Sequence, residues 1–126
     1  MILRSACAAL VLTGFAAAPA LADLSRLPGA YQAEAGGAGC RVRLDPPAQA
    51  PEDSLIEPET VSGLVLAFPG CPGGLSDALL WQAPSDGSAL QLIDGAGTVI
   101  LEAAPAENRS WAGQTSAGET LTLNPA

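Results

Sequence analysis

Acidic residues are the side chains of this sequence that come nearest to a catalytic pattern. Paired carboxylates can carry out glycoside hydrolysis or aspartic proteolysis, one as the acid and the other as base or nucleophile. The candidates are a cluster in a proline-rich stretch and two aspartates before glycines: Glu52, Asp53, Glu57 and Glu59, and Asp86 and Asp94. A solvated loop explains the first group. Turn chemistry explains the second, because an aspartate side chain bonds its own backbone in Asp-Gly turns.

Histidine and lysine are absent from the sequence, and this excludes most other catalytic schemes. No Ser-His-Asp or Cys-His arrangement, Ser-Lys dyad or Schiff base can form. The glycine-rich residues 70–74 are not followed by the lysine of a phosphate-binding loop. We therefore expect a protein that is not an enzyme and that uses no cofactor.

The cysteines indicate a disulfide rather than a metal site. Cys7 lies in the apolar N-terminal run and is expected to be lost with it, which leaves Cys40 and Cys71 as an even pair. An even pair in an exported chain predicts a disulfide. Zinc binding is the alternative, but two thiols without histidine cannot complete a tetrahedral site.

The first 22 residues are typical of a cleaved signal peptide. Arg4 precedes an apolar run over residues 6–18, and Ala20-Leu21-Ala22 has the small-x-small pattern of a signal peptidase site. The run is too short to cross a bilayer core of about 30 Å as a helix. We expect cleavage after Ala22, export to a bacterial periplasm, and one domain over residues 23–126 that does not insert into the membrane.

The chain is acidic, with a net charge of −8, and its five basic residues are all arginine. Loss of Arg4 with the leader makes the charge one unit more negative. Nucleic-acid binding requires a cationic surface that displaces counterions from phosphates. The charge therefore excludes nucleic acid as a partner and disfavours anionic membrane surfaces.

The remaining sequence alternates short apolar runs with glycine-rich turns, which is typical of an antiparallel sandwich or barrel. Cys40, Val42 and Leu44 alternate with Arg41 and Arg43, so one face of this strand should be buried and the other solvated. The predicted strands lie within residues 30–33, 40–44, 61–68, 80–83, 90–92, 98–103, 111–114 and 121–123. Eight short strands predict a small all-β antiparallel barrel that is filled by its own side chains.

Two segments between the strands have distinct predictions. Residues 45–60 contain four prolines and five acidic residues, and they are predicted to form an exposed loop. Residues 73–79 are predicted to form a single helical turn that brings Leu75 and Leu79 over one end of the barrel.

Short motifs follow one another in a characteristic order along nearly the whole exported chain. They are Leu27-Pro28-Gly29-Ala30-Tyr31, Cys40-Arg41-Val42-Arg43-Leu44, Gly70-Cys71-Pro72, Trp81, Leu90-Gln91-Leu92-Ile93-Asp94-Gly95-Ala96-Gly97, Trp111-Ala112-Gly113 and Leu121-Thr122-Leu123. This order resembles the bacterial AprI/Inh metalloprotease inhibitors and the related Omp19-like domain. The resemblance implies an eight-stranded antiparallel barrel with one disulfide, in agreement with the strand count.

The resemblance also implies a mechanism and a partner. In this family an extended N-terminal trunk leaves the barrel and enters the active-site cleft of a secreted, serralysin-type zinc metallopeptidase. The protease-binding trunk here would be Asp23, Leu24, Ser25 and Arg26, with Leu27 at the start of the barrel. The α-amino group of Asp23 would lie nearest the zinc, and Leu24 would occupy an apolar subsite. The inhibitor is expected to be a monomer.

Two other functions fit the same residues. A broad-spectrum inhibitor of the Omp19-like kind would act through the barrel loops rather than the trunk. A non-inhibitory barrel of the cell envelope would bind a ligand or serve as a structural module. A lipocalin-like carrier needs an open interior, and a domain of about 100 residues with inward leucines and valines leaves little room for one.

Overall fold

Eight antiparallel strands form the structure, as the alternation of apolar runs and turns predicts. A computed structural model describes residues 21–47 and 59–126. Each strand pairs with the next one in the chain, and the first also pairs with the eighth, so the sheet closes into a barrel. The strands are β1 (Gly29–Ala35), β2 (Ala38–Leu44), β3 (Thr60–Ala67), β4 (Ala78–Pro84), β5 (Leu90–Asp94), β6 (Val99–Pro105), β7 (Trp111–Thr115) and β8 (Thr120–Pro125).

All eight predicted strands are confirmed, with ends that differ by at most two residues from those observed. The predicted leader lies mainly within residues 1–20, and the predicted acidic loop lies mainly within residues 48–58. Both of these ranges lie outside the described residues. In the ranges that are described, no helix is long and apolar enough to cross a membrane.

The inside of the barrel is filled by apolar side chains. Its largest fully buried residues are Trp81, Leu44, Leu75, Leu90, Leu92, Leu101, Leu121, Leu123 and Val42. The indole N–H of Trp81 donates a hydrogen bond to the carbonyl oxygen of Asp45 at 2.8 Å. A Cβ atom at Gly63, opposite Trp81 on β3, would lie 2.5 Å from the indole nitrogen. The indole therefore takes up the space that a larger inward side chain on β3 would need.

A 3-10 turn, Pro72–Asp77, closes the end of the barrel at which β3 ends and β4 begins; we call this the plugged end. Leu75 of this turn is fully buried, as predicted. A disulfide joins Cys40 of β2 to Cys71, with the two Cα atoms 5.1 Å apart. Because Cys71 directly precedes the turn, the predicted disulfide ties the turn to the barrel wall.

The prediction that Leu79 covers this end is wrong. Leu79 lies at the start of β4 with 52% of its surface exposed. The pairing of β4 with β5 shifts register between Ala78 and Leu80. This irregularity turns both Leu79 and Leu80 away from the core, since it breaks the alternation of inward and outward side chains.

Candidate functional site

The predicted protease-binding residues lie together before β1, at the opposite end of the barrel, which we call the N-terminal end. Leu24–Arg26 form a 3-10 turn rather than an extended trunk. Asp23 caps this turn, because its Oδ1 accepts hydrogen bonds from the Ser25 amide at 3.0 Å and the Ser25 hydroxyl at 2.7 Å. These bonds hold the pKa of Asp23 below its ordinary value. Asp23, Ser25 and Arg26 are exposed, whereas Leu24 is half-buried against the core.

Leu27 anchors this N-terminal segment to the barrel. Its side chain is 2% exposed, and its carbonyl oxygen accepts a hydrogen bond of 2.5 Å from the hydroxyl of Tyr31. Tyr31 itself lies on β1 and is 4% exposed. The buried pair fixes the point at which residues 23–26 leave the barrel.

We expect Tyr31→Phe to lower the free energy of unfolding by about 1 kcal/mol at neutral pH, because the Leu27 carbonyl loses its donor. Burial raises the pKa of Tyr31, against a smaller opposite effect of the Arg109 guanidinium. The folded state thus holds the phenolic proton more tightly than the unfolded chain does. This contribution to stability is complete below the unfolded pKa of about 10 and is lost as the pH rises through the folded pKa.

The measurement is urea denaturation at a series of alkaline pH values, with phenolate absorbance to follow ionisation. The sequence has one tyrosine and no lysine, so few other groups titrate in this range. The wild-type protein should lose stability above the unfolded pKa, and Tyr31→Phe should lose less. An identical alkaline decline in both proteins would contradict this assignment.

The residue before the predicted trunk is also attached to the barrel. The Ala22 amide donates a hydrogen bond to the Gly87 carbonyl, in the β4–β5 loop, at 2.9 Å. Gly87 has a φ of +75°, and a Cβ atom there would overlap the carbonyl group of Ala22. The predicted cleavage after Ala22 would remove this attachment. The new N-terminus at Asp23 would then be held by its own turn and by the packing of Leu24.

A cleft of about 280 Å³ opens beside the N-terminal segment. Leu27, Tyr31 and Trp111 form part of its apolar wall, and Arg26 and Arg109 border it. Arg109 has a φ of +63° in the turn Glu107–Arg109. Left-handed backbone is strained for a residue other than glycine. The N-terminal end therefore combines an exposed chain segment, an apolar surface and two guanidinium groups.

The aspartates of the two Asp-Gly turns have the structural roles that the sequence predicts. Oδ1 of Asp86 accepts a hydrogen bond from the Ser88 amide at 2.9 Å. Oδ1 of Asp94 accepts bonds from the amides of Ala96 and Thr98 at 2.9 and 2.8 Å. Hydrogen bonds from Ser88 also lower the pKa of Asp86. These carboxylates are used within their turns.

The other acidic candidates form no site in the described part of the chain. Glu59 is exposed just before β3, and Glu52, Asp53 and Glu57 lie outside the described residues. Within residues 21–47 and 59–126, no three cysteine or acidic side chains lie close enough together to hold a metal ion.

No model of a known protein family matches the chain, and no curated protein matches it. The resemblance to the AprI/Inh inhibitors therefore remains a prediction that rests on the order of the motifs. The fold that this resemblance implies, an eight-stranded antiparallel barrel with a Cys40–Cys71 disulfide, is the fold observed.

The outside of the barrel carries an apolar surface that was not predicted from the sequence. We call it the apolar face, and it comprises Leu64, Leu66, Phe68, Leu79, Leu80 and Ile93. The first five of these side chains are between 41% and 58% exposed. The sequence of β3 hints at this surface, because Leu64 and Leu66 alternate with the smaller residues Gly63, Val65 and Ala67. Both sets are apolar, so the alternation does not reveal which one faces water.

Proposed function

We propose that the protein is a periplasmic inhibitor of a secreted, serralysin-type zinc metallopeptidase. One observation carries the proposal: residues 23–26 form a largely exposed segment at one end of a closed barrel and join it at the buried Leu27. Such a segment can enter a protease cleft while the barrel behind it is too wide to follow. The motif order supports the same function.

The chemistry of inhibition follows from the N-terminus that cleavage after Ala22 would create. A neutral α-amino group on Asp23 can donate its lone pair to the catalytic zinc of the protease. It would thereby displace the water that the protease uses as its nucleophile. Leu24 would fill an apolar subsite. Because the barrel blocks further entry, the segment would not be processed as a substrate.

The observed turn has to unwind for this mode of binding. It is closed by two backbone hydrogen bonds, from Arg26 to Asp23 at 3.0 Å and from Leu27 to Leu24 at 3.2 Å, and by the two bonds from Ser25 to the Asp23 carboxylate. Bonds of this kind contribute only about 0.5–1.5 kcal/mol each. Once extended, residues 23–26 would reach roughly 13–14 Å from Leu27. The cost of unwinding is therefore below the free energy of a tight protease complex, about 12 kcal/mol at nanomolar affinity.

The test is a titration of a serralysin-type zinc protease with protein that begins at Asp23, with trypsin and papain in parallel. We expect stoichiometric loss of activity for the zinc enzyme alone. A variant that begins at Leu27 should inhibit at least about a hundredfold more weakly, because it lacks both the subsite contacts and the amine near the zinc. Thermal unfolding of both proteins should be similar, since Leu27 and the barrel are retained.

A matched control variant begins one residue earlier than Asp23, at Ala22. Protein that begins at Ala22 retains the bond to Gly87 and moves the terminal amine one residue away, so it should also inhibit poorly while remaining folded. Full potency of the Leu27 variant would refute the trunk mechanism. Equal inhibition of all three proteases would instead favour the barrel loops, as in an Omp19-like inhibitor. If the protein leaves the activity of all three proteases unchanged, a non-inhibitory barrel would be favoured.

A further inference from the structure

The apolar face is a continuous surface on three neighbouring strands. Leu64 of β3 lies opposite Leu80 of β4, and Leu80 lies opposite Ile93 of β5. Leu66 and Phe68 extend the surface toward the plugged end, where Leu79 joins it. Five of the six exposed large apolar side chains in the described residues belong to this face.

The outer surface of the other strands is different in character. Apart from the half-buried Val99, which lies opposite Ile93, their outward residues are polar, charged or small, and among them are Gln32, Glu34, Glu102, Gln114, Thr120, Thr122 and Asn124. Apolar side chains on the outside of the barrel are thus concentrated on β3, β4 and β5. A contiguous exposed apolar patch with a polar rim marks a contact surface in a soluble domain.

Opposite charges border the two long sides of the apolar face. On β2, Arg41 and Arg43 point outward and are exposed, and Arg43 lies opposite Leu66. Asp45 forms an ion pair with Arg43 at 3.2 Å, and Arg41 has no such partner among the described residues. The far side carries Asp94 at the end of β5 and the exposed Glu102 on β6.

One pair of these charged positions, Arg43 and Asp94, lies at matching heights along the barrel, whereas Glu102, opposite Gln91, lies nearer the N-terminal end. Leu64 and Leu80 lie opposite each other. Leu66 and Ala78 are each two residues farther toward the plugged end, so they are at about the same level. Ala78 lies opposite Asp94. Arg43, paired with Leu66, and Asp94 are therefore at about the same level on either side of the apolar face.

We propose that the apolar face binds the same face of a second copy of this chain, which differs from the monomer expected from the sequence. A two-fold axis parallel to the strands, between β3 and β4, would place β2 of one protomer over β5 of its partner. The leucines would then pack against each other, and Arg43 of each protomer would lie near Asp94 of its partner. A two-fold interface requires a surface that is complementary to itself, and this distribution of charge meets that requirement.

The proposed dimer is independent of the proposed inhibition. The apolar face lies on the side wall and extends to the plugged end, whereas residues 23–26 lie at the N-terminal end. Two protomers joined in this way would each keep an accessible N-terminal segment.

The experiment is sedimentation equilibrium of the processed protein over a wide range of concentrations, at low and at high salt. We expect a reversible dimer that is weaker at high salt. Leu66→Asp should raise the dissociation constant by on the order of a hundredfold, because the charge enters the interface twice per dimer. Arg41→Glu should weaken the dimer and reduce its dependence on salt. Gln114→Asp, an exposed and outward-facing position on β7, is the matched control and should leave the dimer unchanged.

Thermal unfolding of each variant shows whether a lower mass in sedimentation equilibrium comes from a weaker interface or from loss of the fold. Leu66 is 55% exposed, so Leu66→Asp should melt near the wild-type temperature. If it does not fold, Leu66→Gln provides the same comparison with a milder change. A wild-type protein that stays monomeric at all concentrations would overturn the proposal. So would a dimer that Gln114→Asp weakens as much as Leu66→Asp does.

Discussion

Trp81→Ala should lower the free energy of unfolding by about 3–5 kcal/mol, the usual cost of removing a buried tryptophan side chain. Trp81 is fully buried, and its indole packs inside the barrel against Gly63 of β3. Its loss would leave a cavity that the closed sheet cannot collapse to fill. The carbonyl oxygen of Asp45 would also lose its indole donor. For a small domain whose total stability is about 5–15 kcal/mol, this change removes a large share.

The measurement is urea denaturation followed by far-ultraviolet circular dichroism, with the fluorescence of Trp111 as a second probe. Trp81→Phe separates the two causes, because it keeps most of the buried volume and removes the N–H donor. We expect its cost to be well below that of alanine. Leu64→Ala, at an exposed position on β3, controls for loss of an apolar side chain outside the core. A cost for Trp81→Ala no larger than that of this control would contradict the packed interior.

Removal of the Cys40–Cys71 disulfide should lower the free energy of unfolding by about 3–4 kcal/mol. The bridge closes a loop with a sequence separation of 31 residues, so it restricts the unfolded chain strongly. It also ties Pro72–Asp77, which carries the buried Leu75, to β2. Without the bridge, the plugged end should open more readily than the rest of the barrel.

This prediction can be checked by urea denaturation of the wild type and of a variant with Cys40→Ala and Cys71→Ala, each with and without reductant. Reductant should shift the wild type toward the variant and leave the variant unchanged. Hydrogen exchange should be faster at Leu75 and Ala78 in the variant than in the oxidised wild type, with smaller changes at the N-terminal end. An unfolding midpoint that neither reduction nor substitution alters would contradict the assigned role.

The positions of the strands could be predicted because local chemistry decides them. Asp86 and Asp94 form side-chain bonds to the backbone of the turns that precede β5 and β6, and such turns need no distant partner. The burial of Leu75 and the cysteine pair could also be predicted, from a short apolar turn and from the parity of cysteines in an exported chain.

The place of residues 23–26 before the barrel could be predicted, but their conformation could not. Motif order placed residues 23–26 before the barrel, yet the 3-10 turn capped by Asp23 and the bond between Ala22 and Gly87 depend on packing at the barrel end. Leu79 illustrates the same limit. Its exposure follows from a register shift between two strands, which no periodicity within one strand reveals.

The sequence by itself determined the all-β class, the eight strands and the exclusion of histidine- and lysine-dependent catalysis, since these follow from turns, alternation and composition. Only the tertiary structure decided which face of β3 meets water. Between Gly63 and Ala67 both faces of that strand are apolar, so the pattern of these residues does not choose between the faces. The choice is made by Trp81, whose indole leaves room inside the closed barrel for Gly63 but not for a leucine. Leu64 and Leu66 are therefore on the outside, where they form the proposed interface.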